Sequence, residues 1–166
     1  MSVFNVTSES FNDGDAIGMD HILSEEYGFG CSGGNKSPQL SWSDPPEGTK
    51  SFAVTCYDPD APTGSGFWHW LVVNIPGDVR SLDLGAGSQG GNLPAGALQT
   101  RTDFGAPGYG GPCPPEGHGP HRYYFVVHAV GADELPVEAE TSAAVVGFNL
   151  HFATLAKAAV LGTFEK

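Results

Sequence analysis

His121-Arg122-Tyr123-Tyr124-Phe125-Val126-Val127-His128-Ala129-Val130 is a run of aromatic and β-branched residues with no glycine or proline. Such a run reads as a strand. It is launched from the Gly/Pro-rich stretch Gly108 to Pro120. Two earlier runs carry the same signature. Phe52-Ala53-Val54-Thr55-Cys56-Tyr57 runs straight into Asp58-Pro59-Asp60-Ala61-Pro62, whose two X-Pro steps must leave the ladder. Trp68 to Ile75 is ended by Pro76-Gly77. Val3–Ser8 and Leu40–Trp42 are weaker strands, and the Gly-rich, aperiodic segment Gly85 to Gly96 is a surface loop. One stretch has helical period. From Ser142 to Leu161, Val145, Phe148, Phe152, Leu155 and Ala159 fall near 3–4 spacing, with Thr141 or Ser142 as cap and Gly162 as stop. Thr163-Phe164 can return as a short strand. Strands first and one helix late predict a mainly β fold with a helix packed at one end of the sheets, as a single domain over 1–166.

Composition narrows the function. Glycine (24) and proline (13) make the chain turn-rich, but a hydrophobic fraction of 40% is too apolar for a disordered chain. The net charge is −12, and the seven cations Lys36, Lys50, Arg80, Arg101, Arg122, Lys157 and Lys166 are scattered. Nucleic-acid backbones and anionic membranes both need clustered Lys and Arg, so neither is an expected partner. Met1-Ser2-Val3-Phe4-Asn5-Val6 shows no secretion signal, and no apolar run approaches a membrane span. Cys31, Cys56 and Cys113 are odd in number and far from C-x-x-C spacing, which argues against a disulfide framework or zinc knuckle. A cytoplasmic, reducing-compartment protein is the expectation.

Strand parity selects the candidate chemistry. Strict alternation puts His69, Leu71 and Val73 on one face, with Trp68, Trp70, Val72 and Asn74 on the other. His121, Tyr123, Phe125 and Val127 likewise share a face. Strand ends carrying Asp58 and Asp60, His69, and His121 with Tyr123 look like a pocket rim. Imidazole N–H groups, a phenol and the free amides of a Gly-rich turn are donors. A carboxylate beside a histidine fixes its tautomer and favours its cation. This is equipment for a small anion, phosphate above all.

Each feature also has a plainer reading. A lone strand histidine is commonly a satisfied structural group, Asp58 to Pro62 is a rigid turn, and Trp42, Trp68 and Trp70 are core. Arg122, one step from His121, points to the other face as an ion-pair partner. His21, His128 and His151 stand alone and read as structural. Zinc competes for the same cluster, because His118 and His121 with Asp58, Asp60 and His69 supply enough ligands. The His118-Gly119-Pro120-His121 gap lies in a loop and prescribes no geometry, so neither metal nor cofactor is expected. No Gly-x-Ser-x-Gly elbow is present, and Cys113 reads more simply as a buried thiol than as a nucleophile.

Taken in order, Ser37-Pro38-Gln39-Leu40-Ser41-Trp42, Asp58-Pro59-Asp60-Ala61-Pro62, Trp68-His69-Trp70 with Asn74-Ile75-Pro76, Gly108-Tyr109-Gly110-Gly111-Pro112-Cys113-Pro114-Pro115, Gly117 and His121-Arg122-Tyr123 span almost the whole chain. Together they resemble the phosphatidylethanolamine-binding protein family, in its compact bacterial and archaeal, Raf-kinase-inhibitor-like branch. The resemblance implies two antiparallel β-sheets, one large and central, with a C-terminal helix near the pocket mouth. It implies an anion pocket of Asp58, His69, His121 and Tyr123, with Asp60 and Pro62 shaping the turn. Pro114 and Pro115 would form one wall, and Trp68 or Tyr109 an aromatic side. His69 and His121 would be N–H donors, Asp58 the group that orients a histidine, and Tyr123 a hydroxyl donor or wall. Glu116, beside the anion site, argues against large acidic headgroups.

The expected function is non-catalytic binding of a small phosphorylated ligand or a phosphorylated protein segment, with modulation of kinase signalling. The alternatives are a hydrolase using His69, His121 and Asp58 as acid and base, and a protease or kinase inhibitor acting by surface contact. Membrane insertion is not implied. A homodimer is what microbial members of the family lead one to expect.

Overall fold

The long run at 121–130 becomes the scaffold on which two neighbouring strands and the pocket are hung. The computed structural model describes residues 3–166. Its strands are β1 (Asn5–Thr7), β2 (Leu40–Ser43), β3 (Ser51–Asp58), β4 (Phe67–Pro76), β5 (Ser81–Leu82), β6 (Leu98–Gln99), β7 (His121–Val130) and β8 (Thr154–Phe164). The one α-helix among the described residues, α1, spans Ala143–Ala153. A large antiparallel sheet has the order β6-β4-β3-β7-β8, and a small one the order β1-β2-β5.

The two sheets enclose the main core, where Leu40 and Trp42 of β2 meet Phe52, Val54, Trp70, Phe125 and Val127 of the large sheet. These side chains are at most 3% exposed, and their burial supplies the main drive for folding. A second core lies on the outer face of the large sheet, where Val146 and Leu150 of α1 cover Ala53, Leu71 and Val73. The central strands are therefore buried on both faces. That is why β3 reads as a continuous apolar run rather than an alternating one.

Two expectations about the C-terminal region need correction. Ser142 caps the helix as expected, its hydroxyl accepting from the Val145 amide at 3.3 Å. The helix stops at Ala153, however, and residues 154–164 form β8, paired with β7 from Val130↔Thr154 to His121↔Phe164. The Ala-rich segment has helix propensity, but the open edge of β7 offers a full ladder of backbone hydrogen bonds, and tertiary pairing overrides local preference. Gly162 is not a helix stop. A Cβ there would lie 2.5 Å from Ile17 Cγ1, so the glycine admits the N-terminal segment against β8. Nor does α1 stand at a pocket mouth. It lies on the outer face, and none of its residues lines the pocket between the strand ends.

Strict alternation also fails in β4. Cys56 of β3 pairs with Trp70 and Tyr57 pairs with Trp68, which leaves His69 as the extra residue of a bulge. Bulges re-aim side chains. His69 consequently leaves the side of Leu71 and Val73, which sit under α1, and faces Tyr123 with ring centroids 5.2 Å apart.

His128 in β7 lies under the outer-face cleft, its Nδ1 3.1 Å from the Thr154 hydroxyl. Burial, and secondarily the positive charge of Lys157, lower its pKa from 6.5 to about 4. Between those values the unfolded chain binds a proton that the folded one refuses, so stability falls as pH is lowered through that window. The cost is on the order of 3 kcal/mol when complete. His128→Gln is expected to flatten that part of the acid-unfolding curve, measured by urea denaturation at several pH values. Parallel curves for the two proteins would contradict it.

Candidate ligand pocket

Asp58 closes β3 with its carboxylate turned inward. Oδ1 accepts the Asp60 amide at 2.7 Å, an Asx turn enforced by the Asp-Pro-Asp sequence, and Oδ2 accepts from Nδ1 of His121 at 2.7 Å. Asp58 is 2% exposed and His121, the first residue of β7, 1%. Asp60 lies outside. It takes hydrogen bonds from Arg122 Nε (2.9 Å), Nη2 (2.8 Å) and backbone N (2.9 Å). The Arg122 hydrogen bonds chiefly hold its carboxyl down at about 2. Arg122 is thus the ion-pair partner that its strand parity indicated, and Asp60 clamps the start of β7 instead of lining the pocket.

His69 is 5% exposed, and its Nδ1 is 2.8 Å from the Gly110 carbonyl. A carbonyl only accepts, so Nδ1 carries the proton. Burial lowers the pKa of this imidazole, partly offset by the Gly110 hydrogen bond. The Gly110 loop reaches β4 because it has no side chain there: a Cβ would lie 2.3 Å from Phe104 Cε2. Asn35 fixes the same loop, accepting the Gly111 amide at 2.8 Å.

Asp58, Pro62, His69, Pro114, Pro115, His121 and Tyr123 converge on one cavity of about 170 Å³. Two expected members do not join them. Trp68, beside the bulge, is on the outer face, its ring 4.4 Å from that of Tyr57. Tyr109 is in the core, its hydroxyl donating to the His21 carbonyl at 2.7 Å. Phe29, Phe67 and Phe104 supply the aromatic walls instead. Phe67 shares a strand with His69 and was within reach of sequence reading. Phe29 and Phe104 come from irregular loops with no signal of their own. Glu116 is exposed and does not line the cavity.

The cysteine reading also needs correction. Cys31 and Cys113 form a disulfide across 82 residues. Local spacing cannot reveal a pairing that the tertiary fold creates. Cys113 lines the pocket, so the bridge ties the Phe29–Cys31 segment to the Pro114–Pro115 wall.

The protons in this pocket are already assigned. A carboxylate only accepts, so His121 donates its Nδ1–H to Asp58, and in the neutral ring its Nε2 is an acceptor. His118 Nδ1 is 2.6 Å from that Nε2 and supplies the hydrogen. Both nitrogens of His121 are therefore used by protein groups. Among the described residues no three His, Cys, Asp or Glu side chains are grouped to hold a metal ion. The hydroxyl of Tyr123 is buried with no hydrogen-bond partner among the described residues. Burial, then the negative charge of Asp58, push its pKa well up, so it remains a phenol and a donor. The site can thus offer the Tyr123 O–H at any ordinary pH, and the Nε2–H of His69 once that ring is protonated.

A family model described as phosphatidylethanolamine-binding protein matches residues 7–165. The UPF0098 protein YbhB of Escherichia coli is 52% identical over 158 residues, covering 95% of this chain and 98% of YbhB. YbcL of the same organism is 51% identical, covering 99% of this chain and 88% of YbcL. The YbcL crystal structure, described as a new member of the mammalian PEBP family, superposes with a TM-score of 0.95 over 99% of both chains. The putative lipoprotein LppC of Mycobacterium tuberculosis is 33% identical over 96% of this chain and 71% of its own length.

Opening the 82-residue loop by Cys31→Ser with Cys113→Ser is expected to cost about 2–4 kcal/mol of unfolding free energy, measured by denaturant unfolding. An unchanged midpoint would show that the bridge holds nothing.

Proposed function

Because this chain belongs to the phosphatidylethanolamine-binding protein family, we propose that its pocket is a receptor for a phosphate group carried by a small molecule or by a side chain of a partner protein, as in modulation of a kinase. The carrying observation is the state of the donors. Tyr123 has a buried hydroxyl without a partner, and each histidine has given its Nδ1–H to the protein. An acceptor-rich ligand satisfies the phenol and draws a proton onto Nε2 of His69. Asp58 orients the His121 ring through its Nδ1, and the small cavity favours a headgroup over a bulky ligand.

Members of this family are generally non-catalytic binding proteins. The Asp58–His121 pair has the form of a base and its orienter, which keeps a hydrolase as the second reading. Two lining residues lack the free nucleophile that it needs. Cys113 is bonded to Cys31, and the Thr63 hydroxyl donates to the Gly66 carbonyl. Inhibition of a kinase or protease by surface contact would survive loss of His121.

No helix among the described residues is long and apolar enough to cross a membrane. We place the protein in an oxidising compartment, because the Cys31–Cys113 bridge is of the kind that cytosolic reductants remove. The cytoplasmic expectation rested on a cysteine spacing that did not show this bridge. We also propose a homodimer through Val145, Phe148 and Phe152, which are 48%, 65% and 74% exposed on a helix without a charged residue. In a chain of net charge −12, such a patch lets two copies meet without repulsion at the contact. Sedimentation should give a dimer that Phe148→Glu converts to monomer, and a monomeric wild type would refute it.

Calorimetric titration with inorganic phosphate and O-phosphoethanolamine tests the receptor. Binding should be saturable, weaken as pH rises past the lowered range of His69, and vanish in His121→Ala. Phosphate-independent turnover, or binding indifferent to pH and to His121, would overturn the reading.

A further inference from the structure

A second cavity of about 590 Å³ lies on the opposite face of the large sheet, between that face and α1. It shares no lining residue with the pocket. Its floor is apolar, made by Leu71 and Leu150, with the half-buried indole of Trp68 at one side. Its ionisable residues are His128, His151 and Lys157, and no Asp or Glu lines it. In a chain with 19 acidic residues against seven Lys and Arg, this is a local reversal of sign.

The reversal is also uncompensated. Among the described residues the ion pairs are Asp58 with His121 and Asp60 with Arg122, so neither Lys157 nor His151 has a carboxylate partner. Lys157 is the cross-strand neighbour of His128, and its charge helps keep that buried ring neutral. Thr55 and Thr154 add hydroxyls to the same wall. The cavity continues along the sheet, past Trp68 and His128, to Tyr57, Tyr124 and the Arg122 guanidinium.

We propose that this cleft is a second binding site, for an amphipathic anion: a carboxylate, sulfonate or sulfate group on an apolar body. Lys157 and His151 take the charged group, with the Thr154 hydroxyl beside them. The apolar body lies over Leu71 and Leu150 against the face of Trp68. A phosphate without an apolar body finds no enclosing donors here, and an uncharged apolar molecule leaves Lys157 uncompensated. The cavity is within the 300–1,000 Å³ typical of small-molecule sites.

Sodium decanoate below its micellar concentration is the probe, with decanol as the uncharged match. Trp68 reports occupancy, because Trp42 and Trp70 are only 3% and 0% exposed. Decanoate should change the tryptophan emission saturably and decanol should not. Lys157→Gln should weaken binding about fivefold, the effect of one charge-assisted contact. Gly147→Leu should abolish it: Gly147 lines the cleft, and a Cβ there meets nothing within 4 Å. Leucine also favours the helix, so the fold is kept. His121→Ala should bind decanoate like the wild type, which separates this site from the pocket. Equal binding of decanol, an unchanged Kd in Lys157→Gln, or full binding by Gly147→Leu would overturn the proposal. So would decanoate converting the sedimenting dimer to monomer in step with its binding, since a second copy of the chain would then cover the cleft.

Discussion

The hydrogen bond from His121 Nδ1 to Asp58 Oδ2, at 2.7 Å between two buried residues, is the constraint on which the pocket depends. A buried carboxylate is tolerated only when its charge is met, and here it is met on both oxygens. The Asx turn supplies one partner and the first residue of β7 the other. The pair pins the end of β3 to the start of β7, and the Asp60–Arg122 clamp repeats the tie one layer further out. It also fixes the tautomer of His121. The nitrogen that remains, Nε2, is the one that meets His118 and the cavity.

The opposite wall solves a different problem. A histidine in an unbroken alternating strand would have pointed under α1 with Leu71 and Val73. The bulge at His69 turns the ring into the pocket, and the Gly110 loop holds it there by accepting its Nδ1–H. The same bulge leaves Trp68 on the outer face. One local irregularity thus divides two adjacent aromatic residues between two separate cavities. The sheet is covered on one side by the small sheet and on the other by α1, and the two cavities open on opposite faces.

What was legible in the sequence follows from where its information is local. The strand 121–130 was read with its observed bounds, because β-branched and aromatic residues without breakers express the same preference as the fold. Asp58, His69, His121 and Tyr123 were found together because strand ends and turn prolines mark them. The segment after Ala153 was misread, since its alanines favour a helix in isolation and only the edge of β7 makes them a strand. The 31–113 bridge and the walls from Phe29 and Phe104 were invisible, being contacts between loops far apart in the chain. Asp60 stands on the same turn as Asp58, and nothing local shows that Arg122 holds its carboxylate outside the pocket.

The central claim is that both pocket imidazoles carry the proton on Nδ1, and that an anion brings a second one to Nε2 of His69. Long-range proton–nitrogen NMR of the imidazole rings measures this directly. In the free protein near neutral pH, the account predicts a protonated Nδ1 and an unprotonated Nε2 for His69 and the same tautomer for neutral His121. On saturation with O-phosphoethanolamine, the His69 Nε2 signal should move to the position of protonated nitrogen. Free rings protonated on Nε2, or a His69 Nε2 signal unmoved at saturation, would contradict it.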